Sequence, residues 1–589
     1  MQSSKKRTLS NICIAAGITA LIMLLIAALF DYYFDLNDDV SMKNILSGNY
    51  TGMPEGHNIQ MLYPVSAFIS LIYRLFKDND VYGIFLCACQ YLCIFVVINR
   101  MLQVCKSSKA KVASLMVSIA FFAGCILGHL IYVQYTFTVA MLSFTAAFLV
   151  ITGEGRRNRI LVCLLIWLSY LIRSEMLLLM LPMAGFAWFY RLVEDNRKGI
   201  KLIYIRWALV LFAGILVCTG IDKFAYSNPG WSEFVKLFDA RTQLYDYQTI
   251  PSYEQNKDFY DSIGLDESEV ELLFNYNYGL DDEIDFAAME QVAEYARSIK
   301  DETLMLYRIK QALYSYVYRL HHFGFQKEYQ YPQTDAPMNI IILVLYLGLL
   351  ICALILIATG NKKEGIRRLL YLILLFIIRS LLWMYILIGE RDPIRITHGL
   401  MIMEIGVLSG MLFHSMQLQK KNRIFICLTA IVLITSFCYL PNTIHVASEE
   451  ASNREAFNEK FNELYSYIKA DADNFYWIDL YTSVSYTSKE YTSYSYSEKM
   501  FGDTDNSFDN YDILGGWFCK SPLQQKKLDR YGFSDIQSSL LEDNVYFVIT
   551  DESSTDWLTK YYNNKGIDVT LNEVCIVADK FRIIKLSEN

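Results

Sequence analysis

The stretch MLYPVSAFISLIYRLF, residues 61–76, decides how this chain is threaded. Read as a membrane span, it reverses the side on which every later segment emerges. Read as a helix lying on a surface, it leaves them where they are. It is shorter than the roughly 20 residues a span needs. Pro64 stands near its start and Arg74 near its end. The basic loops supply the deciding test, because short cytoplasmic loops carry the excess of Lys and Arg.

Apolar runs long enough to span lie at 10–30, 81–101, 110–129, 131–151, 201–221, 338–358, 369–388, 396–416 and 423–440. The run 160–190 is too long for one span, and Arg173 and Glu175 break it in the middle. It reads as a hairpin of two helices with the charged pair at the tip. Basic clusters stand at 5–7, 100–111, 156–159, 191–201, 362–368 and 420–423. With the N-terminus inside and 61–76 not spanning, every cluster falls on the cytoplasmic side. The expectation is a mainly α polytopic bundle of about 11 transmembrane helices. The segment 61–76 becomes an amphipathic helix on the outer surface.

Composition agrees with this reading. Of 589 residues, 54% are hydrophobic and only 19% charged, with a mean hydropathy of +0.24. The net charge of −8 comes with no basic face, which speaks against a nucleic-acid partner. Lys5, Lys6 and Arg7 precede an apolar stretch too long for a signal-peptide core, so the first helix is expected to remain as an anchor. Most of the 13 cysteines lie in apolar runs and act as small buried hydrophobes. Cys519 and Cys575 lie in the polar tail, where a disulfide is conceivable but weakly indicated.

Three sizeable pieces are expected outside: loop 31–80, loop 222–337 and the tail. The transmembrane domain takes 1–441, with both loops, and the extracytoplasmic tail domain takes 442–589. DETLMLYRIKQALYSYVYRL (301–320) places Leu306, Ile309, Leu313, Val317 and Leu320 on one helical face. In the tail, NFYWIDLYTSV and NVYFVIT read as strands, STDWLTKYYNNKG as a helix closed by Gly566, and EVCIVADKFRIIKL as a strand pair. The tail is therefore a small α/β domain.

The chemistry-bearing residues gather on the outer side. DLNDDVSMKNILSGNYTG (35–52) follows the first helix directly and offers Asp38 and Asp39. A carboxylate there can act as general base toward a hydroxyl. GERDPIR (389–395) supplies Arg391 and Arg395, the hairpin tip Arg173, and ARTQLYDY (240–247) Arg241. An arginine fork suits a phosphate oxyanion. Plainer readings stand beside these. Asp38 and Asp39 could cap the following helix, 389–395 could be an internally paired charged loop, and Arg173 with Glu175 a structural pair. His57, His129 and His398 lack metal-ligand spacing.

The order of features, a first span, an acidic first outer loop, a Pro-containing surface helix and a second span beginning VYGIFLCACQYLC, resembles the GT-C superfamily of integral-membrane glycosyltransferases. LNDDVSMKNILSGNYTGMPEGHNIQMLYP, ARTQLYDYQTIPSYEQN, GERDPIRITHG and DILGGWFCKSP also resemble a group of membrane proteins of anaerobic Firmicutes. The GT-C resemblance covers about the first 440 residues in organisation. It implies an acidic catalytic residue in the first loop, here Asp38 or Asp39, and a polyprenyl-phosphate sugar as donor. It departs from the better-known pattern in NDD for an Asp-Glu pair and in YP for two prolines. The function expected is transfer of a sugar to a glycan or glycolipid of the cell envelope. The four arginines would hold the donor phosphate among the lipids of a bacterial cell membrane. No cofactor is required, though a divalent metal is compatible with the acidic groups. A transporter or flippase of a lipid-linked substrate and a non-catalytic envelope scaffold are the rival readings.

Overall fold

The structure, a computed structural model, describes residues 2–105, 107–299, 302–331, 335–418, 423–488, 494–502 and 506–589. Lys106, Lys420 and Lys421 of the basic clusters, and the centre of the Tyr/Ser/Thr-rich stretch 481–501, lie outside the described residues.

Among the described residues, ten helices are long and apolar enough to cross a membrane. This marks the chain as a multi-pass membrane protein. The helix Gly155–Ile172 adds an eleventh candidate, with Arg156, Arg157 and Arg159 in its opening turns. Only Arg173, in extended conformation, separates it from Ser174–Glu194. An ion pair of 3.2 Å between Arg191 and Glu154 joins the far ends of the two helices, so they form a hairpin.

The ends of the bundle differ. At one end Arg100 donates to Thr152, Arg191 pairs with Glu154, Arg367 pairs with Glu194 and Arg368 donates to Ser415. Members of the clusters 100–111, 191–201 and 362–368 thus lie at that end. The other end carries the loops and the tail. The helix Tyr63–Leu75 lies across that loop end: the Tyr63 N–H donates to Asp222 at 2.7 Å, and the Tyr73 hydroxyl accepts from the Tyr82 N–H at 3.0 Å. Both contacts belong to one level of the bundle. Its 13 residues make about 20 Å, too little to cross. Val65, Ile69 and Tyr73 face the protein, while Phe68, Leu71 and Leu75 are exposed.

The helix Tyr135–Thr152 is buried along its whole length at the centre. Ile394–Leu418 packs on it closely because Gly406 offers no side chain, and a Cβ there would stand 2.4 Å from the Phe144 ring. The helix Glu302–His321 turns Ala312, Tyr316 and Arg319 to the protein and exposes Leu306, Ile309, Leu313 and Val317. Its apolar stripe therefore faces away from the bundle, the arrangement of an interfacial helix.

The last helix, Arg423–Ala470, runs without a break from bundle to tail, with Pro441 inside it. At 1.5 Å per residue its 48 residues extend about 72 Å. The boundary expected at 441/442 thus lies within a rigid strut. Beyond it, Phe457, Phe461, Leu464 and Ile468 pack on the tail sheet.

Strands β1 (Tyr33–Phe34) and β2 (Tyr132–Val133) form a short parallel pair at the loop end. Strands β3 (Phe475–Ile478), β4 (Tyr511–Ile513), β5 (Val545–Thr550), β6 (Val569–Val577) and β7 (Phe581–Glu588) form one sheet, in the order β4-β3-β5-β7-β6. β3 is parallel to β4 and β5, and β7 is antiparallel to both its neighbours. The helices of loop 222–337 share a core with this sheet, through Leu237, Leu244, Val270 and Tyr278 against Trp477 and Phe547. By packing the loop belongs with the tail, although sequence order puts it in the transmembrane domain. Cys519 and Cys575 are both free; the first is buried at Gly279 and the second bonds the Tyr467 hydroxyl.

Candidate functional site

The site is built on the helix Asn37–Ser47. β1 sets its position, clamped from both sides. The Asp35 N–H donates to Val133 of the bundle at 2.9 Å, and the Phe34 N–H donates to Glu498 of the tail at 3.0 Å. Lys43 pairs with Glu498 at 2.6 Å, and the Tyr50 hydroxyl donates to Asp512 at 2.8 Å. Bundle and tail together hold this helix.

Asp38 and Asp39 lie in its first turn, while the cap position is Leu36, without a side-chain capping bond. The capping reading therefore does not describe them. Consecutive residues on a helix point about 100° apart, and the two carboxylates reach different surroundings. Asp39 is fully buried. Its Oδ1 accepts from the Tyr82 hydroxyl at 2.9 Å and the Tyr135 N–H at 3.4 Å; its Oδ2 has no partner among the described residues. Burial pushes the Asp39 carboxyl well above its ordinary pKa, with Asp38 and Asp35 adding to the effect. Asp38 is half-buried and lines a cavity of about 260 Å³ between the first loop and the tail.

The four arginines of the sequence analysis all lie at the loop end. Arg241 lines the same cavity as Asp38 and donates to the Tyr276 hydroxyl. Arg173 donates to the Tyr135 hydroxyl at 2.8 Å and to Gln60, and pairs with Glu175 at 3.1 Å. Asp38 and Asp246 both lie within its electrostatic reach. Arg391 pairs with Asp246 at 3.0 Å, and Arg241 also feels Asp246. Three arginines thus gather around one carboxylate, Asp246, which the sequence analysis left unremarked inside ARTQLYDY. Arg395 makes no hydrogen bond or ion pair among the described residues, but its field reaches Asp35 and Tyr135. The charged loop 389–395 is not internally paired: Asp392 goes to Arg319 at 2.8 Å and Glu390 to Arg308 at 3.3 Å.

Further polar groups lie near the mouth, among them Asp35, Arg319 and Asp335, to which the sequence reading gave no role. Asp35 binds Arg454 at 3.0 Å and Gln330 at 2.9 Å. Arg319 holds Asp335 at 2.7 Å. His129 and His398 bond each other at 2.9 Å, and His57 bonds Glu55 at 2.8 Å and stacks on Trp231. Each histidine is a polar contact. Among the described residues one carboxylate trio, Glu269, Asp281 and Glu283, has metal-like spacing. The Lys565 ammonium stands among them at 2.7, 2.9 and 3.2 Å. That cluster receives its cation from the protein.

The arrangement offers a half-buried carboxylate in a cavity, cations at a membrane-level mouth, and a tail wall rich in aromatic rings. Compared with protein-family models and with curated proteins, the chain matches none.

Proposed function

We propose that this chain is a membrane glycosyltransferase that moves a sugar from a polyprenyl-phosphate donor to a cell-envelope acceptor. The loop end faces outward from a bacterial cell membrane, and the basic end faces the cytoplasm, as the excess of Lys and Arg requires. One observation carries the reading: Asp38 lines a cavity without a hydrogen-bond or ion-pair partner among the described residues, beside the arginines at the mouth of the bundle.

Asp38 takes the proton of the acceptor hydroxyl as its oxygen attacks the anomeric carbon. The bond from that carbon to the phosphate oxygen breaks, and the phosphate leaves with the electron pair. Arg395, with no hydrogen bond or ion pair among the described residues, and Arg173 stabilise the charge that develops there. Arg391 and Arg241 flank the site. Asp39, buried against Tyr82 and Tyr135, supports the turn that aims Asp38. The tail forms the acceptor wall. The test is sugar transfer by the purified chain in lipid from a panel of polyprenyl-phosphate sugars, with Asp38→Asn alongside. Transfer that this substitution abolishes supports the reading; wild-type inactivity with every donor, together with unchanged envelope glycans in an Asp38→Asn strain, refutes it.

One observation favours a second reading, transport of a lipid-linked substrate. Arg379 and Glu404 form a fully buried ion pair of 2.8 Å inside the bundle, with the Tyr346 hydroxyl donating to Glu404 at 2.9 Å. Ionisable groups at that depth often mark substrate or ion paths. A flux assay in liposomes separates the two readings.

A further inference from the structure

The tail side of the cavity holds a buried ammonium with unused donors. Lys527 is 2% exposed and lines the cavity. It donates to the Tyr511 backbone carbonyl and makes no ion pair among the described residues. The rings of Tyr50, Phe508 and Tyr511 surround it, with centroids 4.6, 5.5 and 5.6 Å away. An ammonium carries three donors, so this one has capacity for a ligand. Tyr465, Tyr496 and Tyr511 line the same cavity, and their hydroxyls have no hydrogen-bond partner among the described residues.

The carboxylates on this wall are already engaged. Asp512 accepts from the Tyr50 hydroxyl at 2.8 Å, the Gln524 amide at 3.3 Å and the Ile513 N–H at 2.8 Å. Asp509 faces Lys469 at 3.6 Å, and both Asp509 and Asp512 lie within the field of Lys527 without pairing with it. On the tail wall the uncommitted groups are therefore donors, around Lys527; Arg241 and the Asp38 carboxylate also line the cavity. The Lys527 ammonium spends one of its three donors on the Tyr511 carbonyl, and an anionic ligand supplies acceptors for the others. One lysine with phenol hydroxyls suits a singly charged carboxylate, and Arg241, the one guanidinium lining the cavity among the described residues, already donates to the Tyr276 hydroxyl. The volume of about 260 Å³ equals roughly nine waters, the space of one sugar ring with its substituents. Trp517 supplies an aromatic face beside it.

We propose that this cavity binds a pyranose that carries a carboxylate, held by Lys527 and the three tyrosine hydroxyls, with the ring against Trp517. Resting on the transfer reading, this unit is the acceptor, and one of its hydroxyls turns to Asp38.

The test is calorimetric binding of glucuronate, glucose and glucose 6-phosphate to the full-length chain in lipid nanodiscs. Wild type is compared with Lys527→Met and Tyr465→Phe. Glucuronate should bind at least about tenfold more tightly than glucose, a ratio that Lys527→Met removes. Tyr465→Phe should weaken glucuronate by roughly three- to tenfold. Equal affinities, preference for glucose 6-phosphate, or no glucuronate binding up to about 10 mM overturns the proposal. If Lys527→Met does not fold, an unchanged glucuronate affinity in Tyr465→Phe overturns it. The binding needs no donor, so it fails or holds separately from turnover.

Discussion

Replacing each of two adjacent carboxylates by its amide separates their roles. Asp38→Asn removes a base and keeps the shape. A positioned general base contributes about 10²- to 10⁴-fold, so the loss amounts to about 2.7–5.4 kcal/mol in the barrier at 1.36 kcal/mol per decade. Asp39→Asn should behave differently. The Asp39 carboxyl is fully buried, and burial holds its pKa well above the ordinary carboxylate value. An amide of the same shape still offers an oxygen to the Tyr82 hydroxyl. Activity should stay within about tenfold of wild type, and thermal stability should change little. Asp39→Ala strands the Tyr82 hydroxyl and should cost about 1–3 kcal/mol of stability. The assay is the transfer rate in lipid, read beside the thermal unfolding of each variant. A loss of about 100-fold in Asp39→Asn, with Asp38→Asn near wild type, refutes the assignment of Asp38 as base.

Three further outcomes follow from buried charge. Asp80 caps the helix Val81–Val104 by accepting from the Gly83 N–H, and burial raises its pKa from 3.8 to about 6. Between those values the folded state holds a proton that the unfolded chain has lost, so stability falls as pH rises through the window and is level above it. Asp80→Asn keeps the cap and removes that fall, a difference of about 3 kcal/mol at 1.36 kcal/mol per unit, to be read from unfolding across the acidic range. Lys565→Met leaves Glu269, Asp281 and Glu283 without their cation and should cost about 3 kcal/mol. Faster proteolysis of loop 222–337 in this variant would report the loosened contact with the tail. Arg379→Met alone should destabilise the bundle by about 3–5 kcal/mol, and adding Glu404→Met should recover most of that; thermal unfolding of the single and double variants checks it.

The sequence by itself determined the class of the molecule. Apolar length and the Arg173 and Glu175 break are local quantities, and they sufficed for a multi-pass helical bundle, with ten helices long and apolar enough to cross among the described residues, and for 61–76 as a helix too short to cross. Most strands and helices of the tail were legible for the same reason, since alternation and turn residues act over a few positions; the exception is the second half of NFYWIDLYTSV, expected as strand, which is the helix Leu480–Val484 capped by Asp479. Sequence also drew Asp38, Asp39 and the four arginines to the loop end. Only the tertiary structure separated Asp38 from Asp39, because their difference is a rotation about one helix whose neighbours are Tyr82 of the second span and the tail. Asp246 as the meeting point of three arginines, Lys527 inside the cavity, and the shared core of loop 222–337 and tail are products of contacts hundreds of residues apart. The exposed stripe of Glu302–His321 shows the same limit. Periodicity identifies an apolar face, but lipid and protein core are alike to it, and only packing decides which one the face meets.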